Sequence, residues 1–502
     1  MELKFDQTAV NCYDEVFSQT LRKEETQDSV VPDTMPDIGA IVCCTGSILI
    51  RGKDVSDGRV RLEANVPARV VYTPEEGGGT YCLDLNLPLY ASLEDPCITE
   101  NSVCVVELYL APLEARTLNP RKISVRAEAV IRVCCYAPSG ITFSGAPEEE
   151  TEGVNLLEKT TFITPAWTVT EKTFVLSDDF SVPSALPPAA EILGRNTLLE
   201  VEEIKSVGTR LVVKGCAKSA LMYVSGDGES GSVRFETGFS QVVEAGELPE
   251  EIFVAPRLLS SGEYYDIGAD GRTGTMELHL VIQVVVYGKT EARSVVDAYS
   301  SRYPMAAERE TDELDCIRAE QTLRETLRET LPTPQPVSEV SGVSAIPGLP
   351  QADGGTVTLP LTVQLLGHGP DGMLCASKRT FSLRFSQTLD AGQSLEVAGV
   401  TVQEPMAAPA AGGAEIRVPV ELQVFLREQE TVERMTEIQL DETGLLDLSN
   451  RPSLVILRAS DQDDLWALAK ENCSTVRAIT EANGIGELAP GWEKLILIPK
   501  IV

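Results

Sequence analysis

The chain has 502 residues, 43% of them apolar, which is enough for three or four domains of about 100–200 residues and excludes wholesale disorder. Lys and Arg total 42 against 76 Asp and Glu, a net charge of −34, and such a body repels phosphate backbones and anionic head groups, which excludes nucleic acid as a partner. The opening MELKFDQTAV lacks a basic start followed by an apolar core, and no run approaches the ~18 apolar residues of a membrane span, so the expectation is a soluble cytosolic chain with no transmembrane segment.

A repeat organises most of the sequence. Residues 32–136 align without a gap on 183–287, at an offset of 151 residues. Pro32 and Pro36 fall on Pro183 and Pro187, and Arg59 to Tyr72 falls on Arg210 to Tyr223. An acidic, glycine-containing turn follows each of these stretches. Near the end of the unit Val125, Ala127, Ala129, Ile131, Val133 and Cys135 alternate with mostly polar residues, and Met276, Leu278, Leu280, Ile282, Val284 and Val286 repeat them. Alternation of that length predicts a long strand with one buried face. A weaker third copy keeps Pro332 and Pro336, a strand-and-turn run from Thr356 to Gly372, and a closing strand through Ile416 to Leu426. Its EPMAAPAAGGA segment is expected as loop. The stretch AAERETDELDCIRAEQTLRETLRET before it suits a helix by propensity, although its counterpart before the second copy does not.

These observations predict a mainly β chain: tandem antiparallel, sandwich-like β domains at 1–150, 151–303 and 304–438. Gly77-Gly78-Gly79 reads as a hairpin turn, since no Lys-Ser/Thr follows it as a phosphate loop requires. The twelve cysteines include the neighbours Cys43-Cys44 and Cys134-Cys135; free buried thiols are expected in a cytosolic chain, and without a CxxC pair no metal is expected. His279 in a strand and His368 in a turn read as structural. No Ser-His-Asp order, catalytic Cys-His context or phosphate loop appears, so neither catalysis nor a cofactor is expected.

After an acidic linker, 439–452, the pattern changes. Residues 453–502 read as strand, helix, helix, strand, a small α/β unit. Leu454 to Arg458 is the first strand. Asp461 or Asp463 caps a helix from Asp464 to Lys470, and Ser474 or Thr475 starts a second that Asn483-Gly484 stops. Pro490-Gly491 then turns into KLILIP.

This string resembles a LysM domain: Asp463-Asp464-Leu465-Trp466, then Val476, Ile479 and Asn483-Gly484-Ile485, then Pro490-Gly491 and Lys494 to Pro499 follow that family's pattern. The resemblance implies a binding surface at Asp463, Asp464, Trp466, Asn483, Ile485 and Trp492. LysM domains bind N-acetylglucosamine polymers, but Gln462 and Asp464 replace the family's Gly and Thr, and Trp492 replaces its Gln. A large aromatic anchor shifts the expected ligand to a protein, with a glycan or lipid-linked peptidoglycan precursor as the alternative. Trp466 also suits a half-buried packing role, and the aspartates suit helix capping. The repeat, led by VPDTMPDIGAIVCCTGSILI at 31–50, resembles the SPOCS domain of endospore formers. Tandem SPOCS units before a C-terminal LysM resemble the SipL-like family of clostridial spore-morphogenesis proteins. That resemblance implies a scaffold in the mother-cell cytoplasm, at the forespore surface, whose LysM domain binds the ATPase of the coat's basement layer.

Overall fold

Alternation puts Met276, Leu278, Leu280, Ile282, Val284 and Val286 on one face of a single strand, and all six are buried. The computed structural model describes residues 2, 3, 5–76, 78–147, 151–441, 443–447, 449, 452–460, 463–485 and 493–501. Gly77, Asp461, Gln462, Pro490, Gly491 and Trp492 therefore lie outside the described residues. The chain is mainly β with antiparallel sheets, as its alternation predicts.

Strands β1 (Glu2–Leu3), β2 (Phe5–Val30), β3 (Ile38–Gly46), β4 (Leu49–Ser56), β5 (Arg59–Pro74), β6 (Tyr81–Glu94), β7 (Val103–Leu110), β8 (Glu114–Asn119) and β9 (Lys122–Pro147) form a first unit. The second comprises β10 (Val154–Ile163), β11 (Ala166–Ser181), β12 (Glu191–Val207), β13 (Arg210–Val224), β14 (Ser230–Glu244), β15 (Ile252–Ile267), β16 (Thr273–Gly288) and β17 (Thr290–Ser300). The third comprises β18 (Met305–Pro332), β19 (Glu339–Pro347), β20 (Gln351–Asp353), β21 (Thr356–His368), β22 (Leu374–Ser386), β23 (Gln393–Val402), β24 (Met406–Ala410) and β25 (Gly413–Leu440).

Each unit has the same plan. Its opening strand pairs with its closing strand in a long antiparallel ribbon: β2 with β9, and β18 with β25. In the second unit the ribbon is interrupted near Pro165 and Lys289, so β11 pairs β16 and β10 pairs β17. Pro165 cannot donate to the ladder, which explains the break. The middle strands form a second sheet around β5, β13 or β21. It packs face to face on the ribbon sheet over an apolar core in each unit.

The start and end of a ribbon share one tip, the chain passes from one ribbon to the next through 148–153 and 301–304, and β2 also pairs with β11 at Tyr13 and Ala166. The tips are thereby gathered, and Phe5, Val295, Ala298, Met435 and Ile438, from all three ribbons, share one core. β1 leaves the first unit and pairs with β25 of the third, Glu2 opposite Gln439, closing a ring. At the other end Val71, Met222 and Leu366, at corresponding positions of β5, β13 and β21, pack together. The units therefore surround a common axis.

Within a unit a proline loop is stapled. Tyr72 donates to the Pro36 carbonyl and Tyr223 to that of Pro187. Arg121 reaches the Val31 and Met35 carbonyls, and Arg272 those of Pro183 and Leu186. The third copy has lost both devices: Gly367 stands in the tyrosine position, where a Cβ would come 2.3 Å from the Glu339 carbonyl oxygen, and Gly412 precedes its closing strand. Tyr223→Phe deletes one such bond, 2.9 Å long, and is expected to cost about 1 kcal/mol, read as a lowered midpoint in denaturant with an unchanged slope.

Three sequence expectations need correction. The helix-prone stretch before the third copy is β18, because it pairs residue by residue with β25 and buries Cys316, Leu327 and Leu331. EPMAAPAAGGA is not loop throughout: β24 pairs back on β25 from Met406 opposite Arg417 to Ala410 opposite Gly413. Cysteines are not all free either. Cys104 and Cys135 lie directly opposite on β7 and β9 with Cα atoms 4.2 Å apart, and form a disulfide. The bonded partners are remote in sequence, whereas Cys43, Cys44 and Cys134 remain free thiols.

Candidate functional site

The last segment folds as β26 (Leu454–Ser460), α1 (Leu465–Glu471), α2 (Val476–Asn483) and β27 (Glu493–Pro499), with β26 and β27 antiparallel. Asp464 caps α1 by accepting from the Trp466 N–H at 2.9 Å. Asp463 accepts from the Ser460 backbone N–H at 2.7 Å and from its hydroxyl at 3.0 Å. Thr475 caps α2, and Gly484, with φ 63°, ends it in the left-handed conformation that a side chain resists. Asn483 stitches helix to sheet: its amide donates to the Ile479 and Leu497 carbonyls and accepts from the Leu497 N–H. Ile485 is half-buried and donates its N–H to the Thr480 carbonyl.

Trp466 points at the ring. Its ring meets Tyr299 of β17 edge to face at 4.8 Å, and its Nε1 donates to Asp297 at 2.7 Å. Lys470, one turn later, donates to both Asp297 oxygens at 2.8 and 2.9 Å, and Arg309 of β18 reaches the same carboxylate. Burial alone would raise the Asp297 carboxyl, but Lys470, Trp466 and Arg309 together hold it below its ordinary value. Tyr299 is buried, its hydroxyl donates to the Ser474 carbonyl at 2.8 Å, and it shares a core with Ala469, Ile479, Ile496 and Ile498. The module is docked on the second unit's ribbon through α1.

Of the residues assigned to a binding surface from sequence, Asp463, Asp464 and Asn483 thus hydrogen-bond within the module, and Trp466 is engaged by Tyr299 and Asp297. Trp492 lies outside the described residues.

Among the described residues the face opposite the helices makes no such contacts. Leu454, Ile456, Leu495 and Leu497 are 47%, 60%, 70% and 36% exposed, with Ile456 directly across from Leu497. Val455, Leu457, Ile496 and Ile498, which alternate with them, pack toward the helices. The signal was present in LVILR and KLILIP, where both faces of the strands are aliphatic. A strand that covers one core needs only one such face. An Arg458–Glu493 ion pair at 2.7 Å borders the patch.

Among the described residues one other cluster brings possible metal-ligand atoms together. Glu202, Cys216 and Glu236 converge on β12–β14, where burial and hydrogen bonding to Glu202 push the Cys216 thiol up to about 12. Among the described residues no helix is long and apolar enough to cross a membrane.

The fold and site define a class: a mainly β ring of three like units that carries a small β-α-α-β module. Comparison with family models, curated proteins and solved structures finds no match to the chain.

Proposed function

We propose that the chain is a non-catalytic scaffold of endospore coat assembly. It acts in the mother-cell cytoplasm at the forespore surface and binds the ATPase of the coat's basement layer through its C-terminal LysM-like module. The observation that carries the protein-binding reading is the exposed aliphatic ladder of Leu454, Ile456, Leu495 and Leu497. In so charged a chain, a contiguous apolar face on a small sheet suits a protein partner better than a sugar polymer. The carboxylates of Asp463 and Asp464 are engaged in the loop and the helix cap, which leaves a glycan fewer polar groups to meet. The coat identity rests on the order of SPOCS-like repeats and LysM-like module in the sequence.

The test is binding of the full chain to the ATPase by biolayer interferometry. Leu495→Glu places a charge in the ladder, faces away from the core, and is expected to weaken binding roughly tenfold or more with the thermal midpoint nearly unchanged. Undiminished affinity for this variant sinks the assigned surface. Saturable binding of chitin oligomers by the same protein, unaffected by Leu495→Glu, replaces the protein ligand with a glycan.

A further inference from the structure

The three units leave between them a cavity of about 310 Å³ whose walls come from all three. That is the lower end of the range of about 300–1,000 Å³ typical of small-ligand sites. Its charge runs against that of the chain. Arg132, Arg195, Arg257 and Lys378 line it, against three carboxylates, Glu107, Glu200 and Glu263. Glu107 is matched by Arg257 and Arg132 at 3.2 and 3.7 Å, and Glu200 by Lys218, which stands outside the lining. Arg195 and Lys378 are left facing the space with Glu263.

Glu263 is the unusual member. Its side chain is 4% exposed, yet its Oε2 has no hydrogen-bond partner, and the nearest cation, Arg195 Nε, stands 4.0 Å away. Burial raises its carboxyl, and Arg195 with the neighbouring Ser47 and Ser260 hydroxyls opposes this only in part. Ser47, which also lines the cavity, sets a buried hydroxyl beside this carboxylate, but neither its Oγ nor Glu263 Oε2 completes a well-aligned bond. Buried polar atoms are nearly always satisfied, and a poorly bonded carboxylate–hydroxyl pair at one cavity marks a place that a polar guest completes. Lys378 donates to the Leu113 carbonyl, and burial holds its ammonium below the ordinary value.

We propose that this inter-unit cavity binds a small anion that also carries a hydroxyl: a phosphorylated or carboxylated metabolite whose anionic group meets Arg195 and Lys378 and whose hydroxyl meets Glu263 and Ser47. Because its walls belong to all three units, occupancy fastens the ring, and the ligand stabilises the fold by mass action.

The full chain is titrated in a thermal-shift assay with inorganic phosphate, glycerol 3-phosphate and malate, with glycerol as the neutral control. The two hydroxylated anions are expected to raise the midpoint in a saturable way, more than inorganic phosphate does, and glycerol is expected to do nothing. Glycerol 3-phosphate above malate assigns the phosphorylated class, and the reverse order the carboxylated class. Arg195→Gln is expected to weaken the preferred anion roughly tenfold. Arg195 is 30% exposed at the side chain, so the variant is expected to fold, and Lys378→Met reads the same charge surplus independently. No shift from any anion at about 10 mM overturns the proposal. So does an equal shift from glycerol, or unchanged affinity in both variants.

Discussion

Replacing Tyr299 by alanine is expected to release the C-terminal module from the ring. The tyrosine is buried, and its partners belong mostly to the module: the Trp466 ring at 4.8 Å, the Ser474 carbonyl, and the core of Ala469, Ile479, Ile496 and Ile498. Truncating a buried aromatic side chain costs about 3–5 kcal/mol, and the Ser474 carbonyl additionally loses its donor. The polar contacts that remain, the Asp297 bonds to Trp466 and Lys470 and the linker bonds from Leu446 N–H to Arg302 and Asp441 N–H to Pro304, lie largely at the surface and are expected not to hold the module alone. Limited proteolysis of Tyr299→Ala should cut within 441–453 at least tenfold faster than in the wild type. Amides of α1 should exchange faster while those of β16 keep their protection. Tyr299→Phe retains the ring and loses one hydrogen bond, so it should stay docked at a cost of about 1 kcal/mol. Equal cleavage of Tyr299→Ala and wild type would show that the docked arrangement does not depend on this contact.

Docking decides which surface remains for a partner. With α1 turned to the ribbon, Trp466 cannot serve as an exposed anchor, whereas the outer face of β26 and β27 is open in the docked state. Tyr299→Ala and Leu495→Glu should therefore act separately: the first frees the module without removing its ladder, and the second alters the ladder without undocking. Additivity of the two effects is expected, because the residues share no partner.

Much of this architecture could be read from residue order. Strict alternation in 276–286 dictates a strand because only a period of two buries every second side chain. The offset carrying Pro32 onto Pro183 also carries Arg121 onto Arg272, so the second staple of the proline loop is legible in the repeat. β18 was obscured for a physical reason. Its Glu, Arg, Leu and Ala residues favour a helix in isolation, and only pairing with β25 along its length makes the extended form better. The ring closure had no local signal at all, since Glu2 finds Gln439 across nearly the whole chain. Trp466 carried an ambiguity that sequence could not resolve: an indole at a helix start serves equally for packing or for capture, and the partner that decides, Tyr299, lies in another unit.

Arg257→Met is expected to be the most damaging single change in the ring. Arg257 of the second unit meets Glu107 of the first at 3.2 Å and donates to the Val397 and Ala398 carbonyls of the third, so one guanidinium joins all three units. Its side chain is 16% exposed and that of Glu107 12%. Methionine fills similar volume but leaves a buried carboxylate with only Arg132, at 3.7 Å, and the Tyr109 hydroxyl. Breaking a buried pair from one side costs about 3–5 kcal/mol, mostly because the remaining charge is stranded. Glu107→Gln removes that charge, so the double variant should recover a good part of the loss, which a denaturant series on the four proteins measures directly. The same carboxyl links the ring to pH. Burial works to raise it, but Arg257, the Tyr109 hydroxyl and Arg132 outweigh burial and hold it below its ordinary value of about 4.5. A folded-state value below the unfolded one means that the unfolded chain takes up the proton first. The Glu107 contribution is therefore complete above the unfolded pKa and is lost as pH falls through the folded one. Wild type should lose stability more steeply than Glu107→Gln on acidification below about pH 4.5. Parallel acid profiles for the two proteins would remove Glu107 from the forces that close the ring.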